Sequence, residues 1–235
     1  MSVSKGLARV LPVAALGVFC LAHEADAALM LRLSSGSSTI TVEDGGAGDI
    51  DLQEGVVVYS GPIGSFTVNV STGVSKPLIG SDVFPALHLN SVDVTGALAG
   101  SLTVELSDTG FLTNGPVYFA SSIGGTFLKP TDLTYETYLG VDNQLFSTDT
   151  LVSSLAFQGS GFFGGGEGAW VDTTSPYSLT QVVSFAQPGS SVTSFDAQIA
   201  VAQPATLALL GLGLLGVAAG SRWLRGIAPG SRTES

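Results

Sequence analysis

YSLTQVVSFAQPGSSVTSFDAQIAV, residues 177–201, alternates apolar and polar side chains on both sides of a Pro-Gly-Ser break. In an extended chain successive side chains point to opposite faces, so this alternation buries one face and wets the other. Val, Ile, Thr, Phe and Tyr fill the stretch, and their branched or flat side chains suit a pleated, half-buried surface. Little helical periodicity is present. The stretch reads as sheet, and the same period-two pattern recurs upstream in STITVE (38–43), GVVVYS (55–60), SFTVNVS (65–71), LHLNSVDV (87–94), GSLTVELSD (100–108) and DLTYETYL (132–139). Turn-forming clusters separate these runs, among them DGGAGD (44–49), SGPIG (60–64), TNGP (113–116) and KPTD (129–132). Many short antiparallel strands predict an all-β chain, a single β-sandwich or jelly-roll-like domain over residues 28–200. No exact internal repeat is present, which argues against a propeller or solenoid.

The chemistry available to such a body is narrow. GSGFFGGGEG (159–168) is read as a hairpin or surface loop with Phe162 and Phe163 exposed. Two matches to G-x-G-x-x-G, at Gly159 and at Gly211, lack the strand-then-helix context that dinucleotide binding needs. No G-x-S-x-G elbow occurs. Cys20 is the only cysteine, and His88 is the only histidine beyond His23. One histidine cannot build a zinc site, and its parity in LHLN makes it an outward or cross-strand residue. EDGGAGDIDLQEG (43–55) concentrates Glu43, Asp44, Asp49, Asp51 and Glu54 on a Gly-rich turn. Hard oxygen ligands in this density suit Ca²⁺, with Asp44, Asp49 and Asp51 as candidate ligands. A long turn with solvated acids is the competing reading. The segment resembles one nonapeptide of a calcium-binding β-roll, but Ile50 stands where that motif has Asp.

The two ends carry a different signal. Lys5 and Arg9 precede the apolar run VLPVAALGVFCLA, which ends in Ala25-Asp26-Ala27. Residues 1–27 therefore predict a secretory signal peptide cut by signal peptidase after Ala27, with Ala25 and Ala27 as the small-residue subsites. An uncleaved anchor is the alternative, although the apolar run is short for a span. With that segment removed no cysteine remains, so the exported body needs neither disulfides nor thiolates. From Ala28 to Ala200 three basic residues face sixteen acidic ones, a net of −13. Such a surface disfavours nucleic acid and anionic lipid as partners.

Residues 201–235 form the tail. Gln203-Pro204-Ala205-Thr206 leads into an uncharged run, residues 205–221, that stops at Arg222 and Arg225. Seventeen residues of helix rise about 25 Å, a minimal bilayer crossing. The arginines suit a stop on the cytoplasmic side of an inner membrane. QPATLALLGLGLLGVAAGSRWLR resembles the PEP-CTERM sorting signal of exported bacterial proteins. Pro204, Ala205 and Thr206 match its common continuation, and Leu207 to Ala219 match its helix. Ala202 replaces its first Pro and Gln203 its usual Glu. DGGAGDIDLQEGVVVYSG, LNSVDVTG and SDTGF also resemble the β-rich bodies of that family. The resemblance implies transient anchoring, cutting near the Pro motif by an exosortase-type membrane enzyme, and release to the cell surface or medium in company with exopolysaccharide. The expectation is a non-enzymatic surface or matrix protein. A carbohydrate- or Ca²⁺-binding β-sandwich is the alternative, and a glycan hydrolase using two carboxylates is a further one. An aromatic platform would favour the first alternative, and two acids in one cleft the second.

Overall fold

The computed structural model describes residues 28–202, which consist of strands and the segments that join them. There are ten strands: β1 (Met30–Ser35), β2 (Ser38–Glu43), β3 (Val56–Ile63), β4 (Phe66–Val74), β5 (Ala86–Gly96), β6 (Gly100–Phe111), β7 (Gly115–Gly140), β8 (Thr150–Thr173), β9 (Tyr177–Gln187) and β10 (Ser191–Val201). All pair antiparallel in the order β2-β1-β6-β9-β7-β10-β5-β4-β3, and β8 lies on the other edge of β7. The expected all-β, antiparallel, sandwich-like body is what the chain forms.

One strand makes the sandwich. The first half of β7, Phe119–Phe127, pairs with β10, and the second half, Asp132–Gly140, pairs with β9. The register breaks between Phe127 and Thr131, at Leu128-Lys129-Pro130. Proline has no N–H for the ladder and suits such a break. Each half of β7 carries a length of β8 on its outer edge. One layer is therefore β2-β1-β6-β9 with the second half of β7 and residues 150–158 of β8. The other is β3-β4-β5-β10 with the first half of β7 and residues 161–173 of β8. Not all strands are short, as the alternation led one to expect: β7 and β8 run 26 and 24 residues. GSGFFGGGEG is likewise not a loop but the interior of β8.

The layers meet through the inward parity of each strand. Phe185 of β9 packs edge-on against Phe66 of β4 at 6.0 Å and Phe195 of β10 at 6.3 Å, so one ring ties three strands across the interface. Aromatic rings at such separations favour edge-to-face contact. Gly73 of β4 has no room for a Cβ, because Leu106 of the opposite layer already fills that space. Tyr135, fully buried in one layer, has its hydroxyl 2.8 Å from both Gln181 Oε1 and the Gln198 carbonyl of the other. Burial pushes the Tyr135 hydroxyl well above its ordinary pKa. It stays neutral and serves as a polar bolt between the two layers.

The two long sides of the sandwich differ. On one, β2 lies against β3 and the connection 44–55 joins them. On the other the layers end in the two halves of β8. There Leu155, Phe157, Phe163 and Ala169 pack against the core but stay half-buried. Glu167 from one layer reaches the other, where its Oε2 accepts the Ser154 N–H at 2.9 Å.

Candidate functional site

From Gly115 to Phe127 the pairing of β7 with β8 has no register shift, so parity assigns the outer face without ambiguity. On β8 that face carries Phe162, Gly164, Gly166, Gly168 and Trp170 in succession. Opposite them on β7 stand Thr126, Gly124, Ser122, Ala120 and Tyr118. A strip of small residues thus runs between Phe162, 94% exposed, and Trp170, 71% exposed. Eight residues of strand separate these aromatics, roughly 26 Å. Tyr118 packs against Trp170 with ring centroids 5.4 Å apart and planes at 62°. The Tyr118 ring lies over Gly168: a Cβ built there would fall 2.6 Å from Tyr118 Oη. Glycine at 168 is what lets the ring lie down on the sheet.

A polar row crosses the strip. His88 of β5 is the register partner of Gln198 on β10, Gln198 of Ser122 on β7, and Ser122 of Gly166 on β8. Gln198 Nε2 donates to Ser122 Oγ at 3.1 Å. His88, Ser122, Gly124, Asp196 and Gln198 line a hollow of about 390 Å³. A bulge in the pairing of β5 with β10 sets its rim. Ser91 adopts a φ of 54° there, and its N–H donates to Asp196 Oδ1 at 2.6 Å. One oxygen of Asp196 is thereby held. Next to it Asn69 Nδ2 donates to Asp93 Oδ2 at 3.2 Å. The face offers donors and acceptors on a flat floor with an apolar ring near each end.

His88, expected to be an outward or cross-strand residue, is the cross-strand partner of Gln198 in this row and is half-buried. Phe162 and Phe163 divide. Phe162 projects outward, whereas Phe163 turns inward and stacks on Phe127 at 4.2 Å with planes at 12°. The outer strip was missed because Gly at 164, 166 and 168 gives no apolar–polar contrast. Phe162 and Trp170 share parity, and that was the available signal.

The acidic connection is organised differently from a ligand cage. Asp49 Oδ2 accepts the Gly45 N–H at 2.9 Å, and its Oδ1 accepts those of Asp51 and Val58 at 3.1 and 2.8 Å. Asp51 Oδ1 accepts the Gln53 N–H at 3.0 Å, and Asp44 Oδ2 the Gly55 N–H at 2.7 Å. These carboxylates fold the turn by capping its backbone donors. Among the described residues no group of three or more His, Cys, Asp or Glu side chains is gathered as a metal would need, so Asp44, Asp49 and Asp51 are not brought together in that sense. Burial raises the Asp44 carboxyl above its ordinary pKa; the Gly55 N–H opposes the rise, and the charges of Asp49, Glu54 and Asp108 add to it. Asp44 and Glu54 also line a cavity of about 350 Å³ with Lys76 and Asp82. Lys76 is buried there. Its Nζ lies 2.8 Å from Asp108 Oδ2 and 3.9 Å from the centre of the Phe111 ring.

Ala25, Ala27, Gln203, Pro204, Ala205, Thr206, Arg222 and Arg225 lie outside the described residues, as do the segments 1–27 and 205–221. No protein-family model matches the chain, and no curated protein sequence matches it significantly. Solved structures do resemble it. TmCBM61 in complex with β-1,4-galactotriose aligns over 74% of this chain and 88% of that one, at 9% identity and a TM-score of 0.35. TmCBM27, a carbohydrate-binding module that recognises mannan, aligns over 62% and 86%, at 7% identity and 0.26. The K1 cleaved adhesin domain of Lys-gingipain from Porphyromonas gingivalis W83 aligns over 63% and 98%, at 11% identity and 0.29. At such distances, what the outer face can hold is decided by its own geometry.

Proposed function

We propose that the body is a non-catalytic carbohydrate-binding module, carried by an exported surface protein whose tail sorts it as PEP-CTERM proteins are sorted. The observation that carries the binding half is the outer strip, open and small-floored, with Phe162 at one end and the Tyr118–Trp170 pair at the other. One face of a pyranose presents C–H groups, which stack on the electron-rich face of an aromatic ring. The hydroxyls of a glycan chain need donors and acceptors, and Gln198, Ser122, His88 and Asp196 supply both kinds midway between the two rings. The elongated strip suits a chain rather than a single sugar. The charge of −13 on the body selects neutral polymers over polyanions. Calcium is not needed for this contact.

Affinity electrophoresis through neutral polysaccharides tests the site. Trp170→Ala removes an exposed ring and should weaken retention while leaving the melting temperature in place. One aromatic contact of about 1 kcal/mol is worth roughly fivefold in affinity. Retention unchanged in both Trp170→Ala and Phe162→Ala would remove the strip from consideration. The export half is supported by the two ends of the sequence. Mass spectrometry of the surface-exposed protein should find a chain that begins at Ala28 and ends near Ala202–Ala205. A surface form intact through Ser235 would contradict sorting.

A further inference from the structure

We propose that the open β8 side of the sandwich is a two-fold interface with a second copy of this chain. The inference is independent of what the outer strip binds. Among the described residues β8 pairs only with β7, which leaves its other edge unpaired along both layers. An exposed strand edge is a row of unused N–H and C=O groups, and proteins normally guard it with Lys, Pro, bulges or short length. The other two sheet edges are guarded in these ways. β2 is six residues long, and β3 carries Pro62 beside a bulge between Tyr59 and Gly61. β8 is far longer, 24 residues with no Lys, Arg or Pro. Its guards are register shifts at Leu151/Ser153 and Gly159/Gly161 and the inward Glu167, which occupies the Ser154 N–H alone, so the stretches 154–158 and 161–173 run as unbroken ladders with a free edge. Between its two halves runs the half-buried apolar seam of Leu155, Phe157, Phe163 and Ala169.

The form of the side defines its occupant. A partner must offer two stacked strand edges about 10 Å apart with an apolar seam between them. This chain's own β8 side has that form, and a two-fold rotation makes such a patch complementary to itself. Antiparallel pairing is what the rotation produces. The patch is roughly 35 Å long and 20 Å across, or about 700 Å² per partner, close to the ~800 Å² of a standard stable interface. The donors that would pair are identifiable. Ser154 N–H reaches Glu167, away from β7, so by alternation those of Ala156 and Gln158 point to the same free edge.

The test uses the full-length chain in mild detergent, in a Cys20→Ser background that leaves no other thiol. Ala156→Cys, Gln158→Cys and Ser160→Cys, made singly, are oxidised and compared with Thr41→Cys on β2. At least one β8 cysteine should give a covalent dimer, and Thr41→Cys none. By velocity sedimentation the parent should be a dimer. Ala156→Pro should abolish it with the circular dichroism of the sheet retained. Gln158→Lys, which adds a guarding charge and leaves the backbone intact, should shift it to monomer if the proline variant fails to fold. A monomeric parent overturns the proposal. So does a dimer that survives both variants, whether held by residues 203–235 or by another surface, and so does crosslinking of β8 to a different protein.

Discussion

Gly168 and Gly164 share a face of one strand, yet a side chain meets opposite conditions at each. At 168 a Cβ would fall 2.6 Å from the Phe119 carbonyl and from Tyr118 Oη, so Gly168→Val lifts the tyrosine and strains the ladder. Overpacking of this kind costs about 1–3 kcal/mol. At 164 the nearest atom is the Ile123 carbonyl at 3.5 Å, and the φ is one that any residue adopts. Gly164→Val should therefore keep or slightly raise stability, through a stiffer unfolded chain, while its side chain stands up in the strip. Thermal melts paired with affinity electrophoresis separate the two: both variants should lose polysaccharide retention, and only Gly168→Val should melt lower. The Lys76–Asp108 pair is the residue-scale weak point of the interior. Asp108→Ala leaves a buried ammonium without its counter-charge and should cost about 3–5 kcal/mol in urea unfolding. Asp44 has the reverse sign. Its folded pKa is raised, so the folded state holds the proton more firmly than the unfolded one. The contribution to stability is present below the ordinary carboxylate pKa and fades as pH rises through the raised value. Asp44→Asn keeps an acceptor for the Gly55 N–H and removes the charge. It should flatten the decline in melting temperature from acid to neutral pH, and a lower melting temperature at neutral pH would refute this account.

Among the elements, β8 is where local sequence and tertiary structure part company. Its middle has the composition of a linker, Gly at six of the ten positions 159–168 with Phe162 and Phe163 between them; on propensity alone such a segment would not hold as strand. It holds because β7 supplies thirteen consecutive register partners and because Phe163 is clamped between Phe127 and Phe157, at 4.2 and 5.0 Å. Phe163→Ala should cost about 2–3 kcal/mol, below the ~3–5 of a fully buried phenylalanine because the ring is half-exposed. Urea unfolding followed by tryptophan fluorescence reads it, since Trp170 sits on the same strand. The strands around this element were legible wherever Val, Leu, Ile or Phe alternated with Ser, Thr or Asp, as in 177–201, because one buried face is enough to fix that pattern. The candidate site was hardly legible. Its floor is built of glycines, which carry no pattern, and its polar row joins His88, Ser122 and Gln198, separated by 34 and 76 positions in the chain. Only sheet register puts them in line.

At the level of the whole molecule, sequence alone indicated two packed layers but not that a single hairpin serves both. Because β7 and β8 each contribute to the two layers, neither layer can lose its order without taking strands from the other. Calorimetry should show one cooperative transition with matching calorimetric and van't Hoff enthalpies, as small single domains usually do; two resolved transitions would mean the layers melt apart. The same topology governs how the molecule bears load. The described chain ends at Ala202, directly after β10, and β10 is an interior strand with nine register partners on β5 and nine on β7. Were the body held by its C-terminal end, as the proposed anchor would do, drag would act along that strand. The pull is then a shear that must break two ladders together, where an edge strand would unzip one bond at a time. Placing β10 in the middle of its layer would make the body stiffest along the line of the tether proposed above.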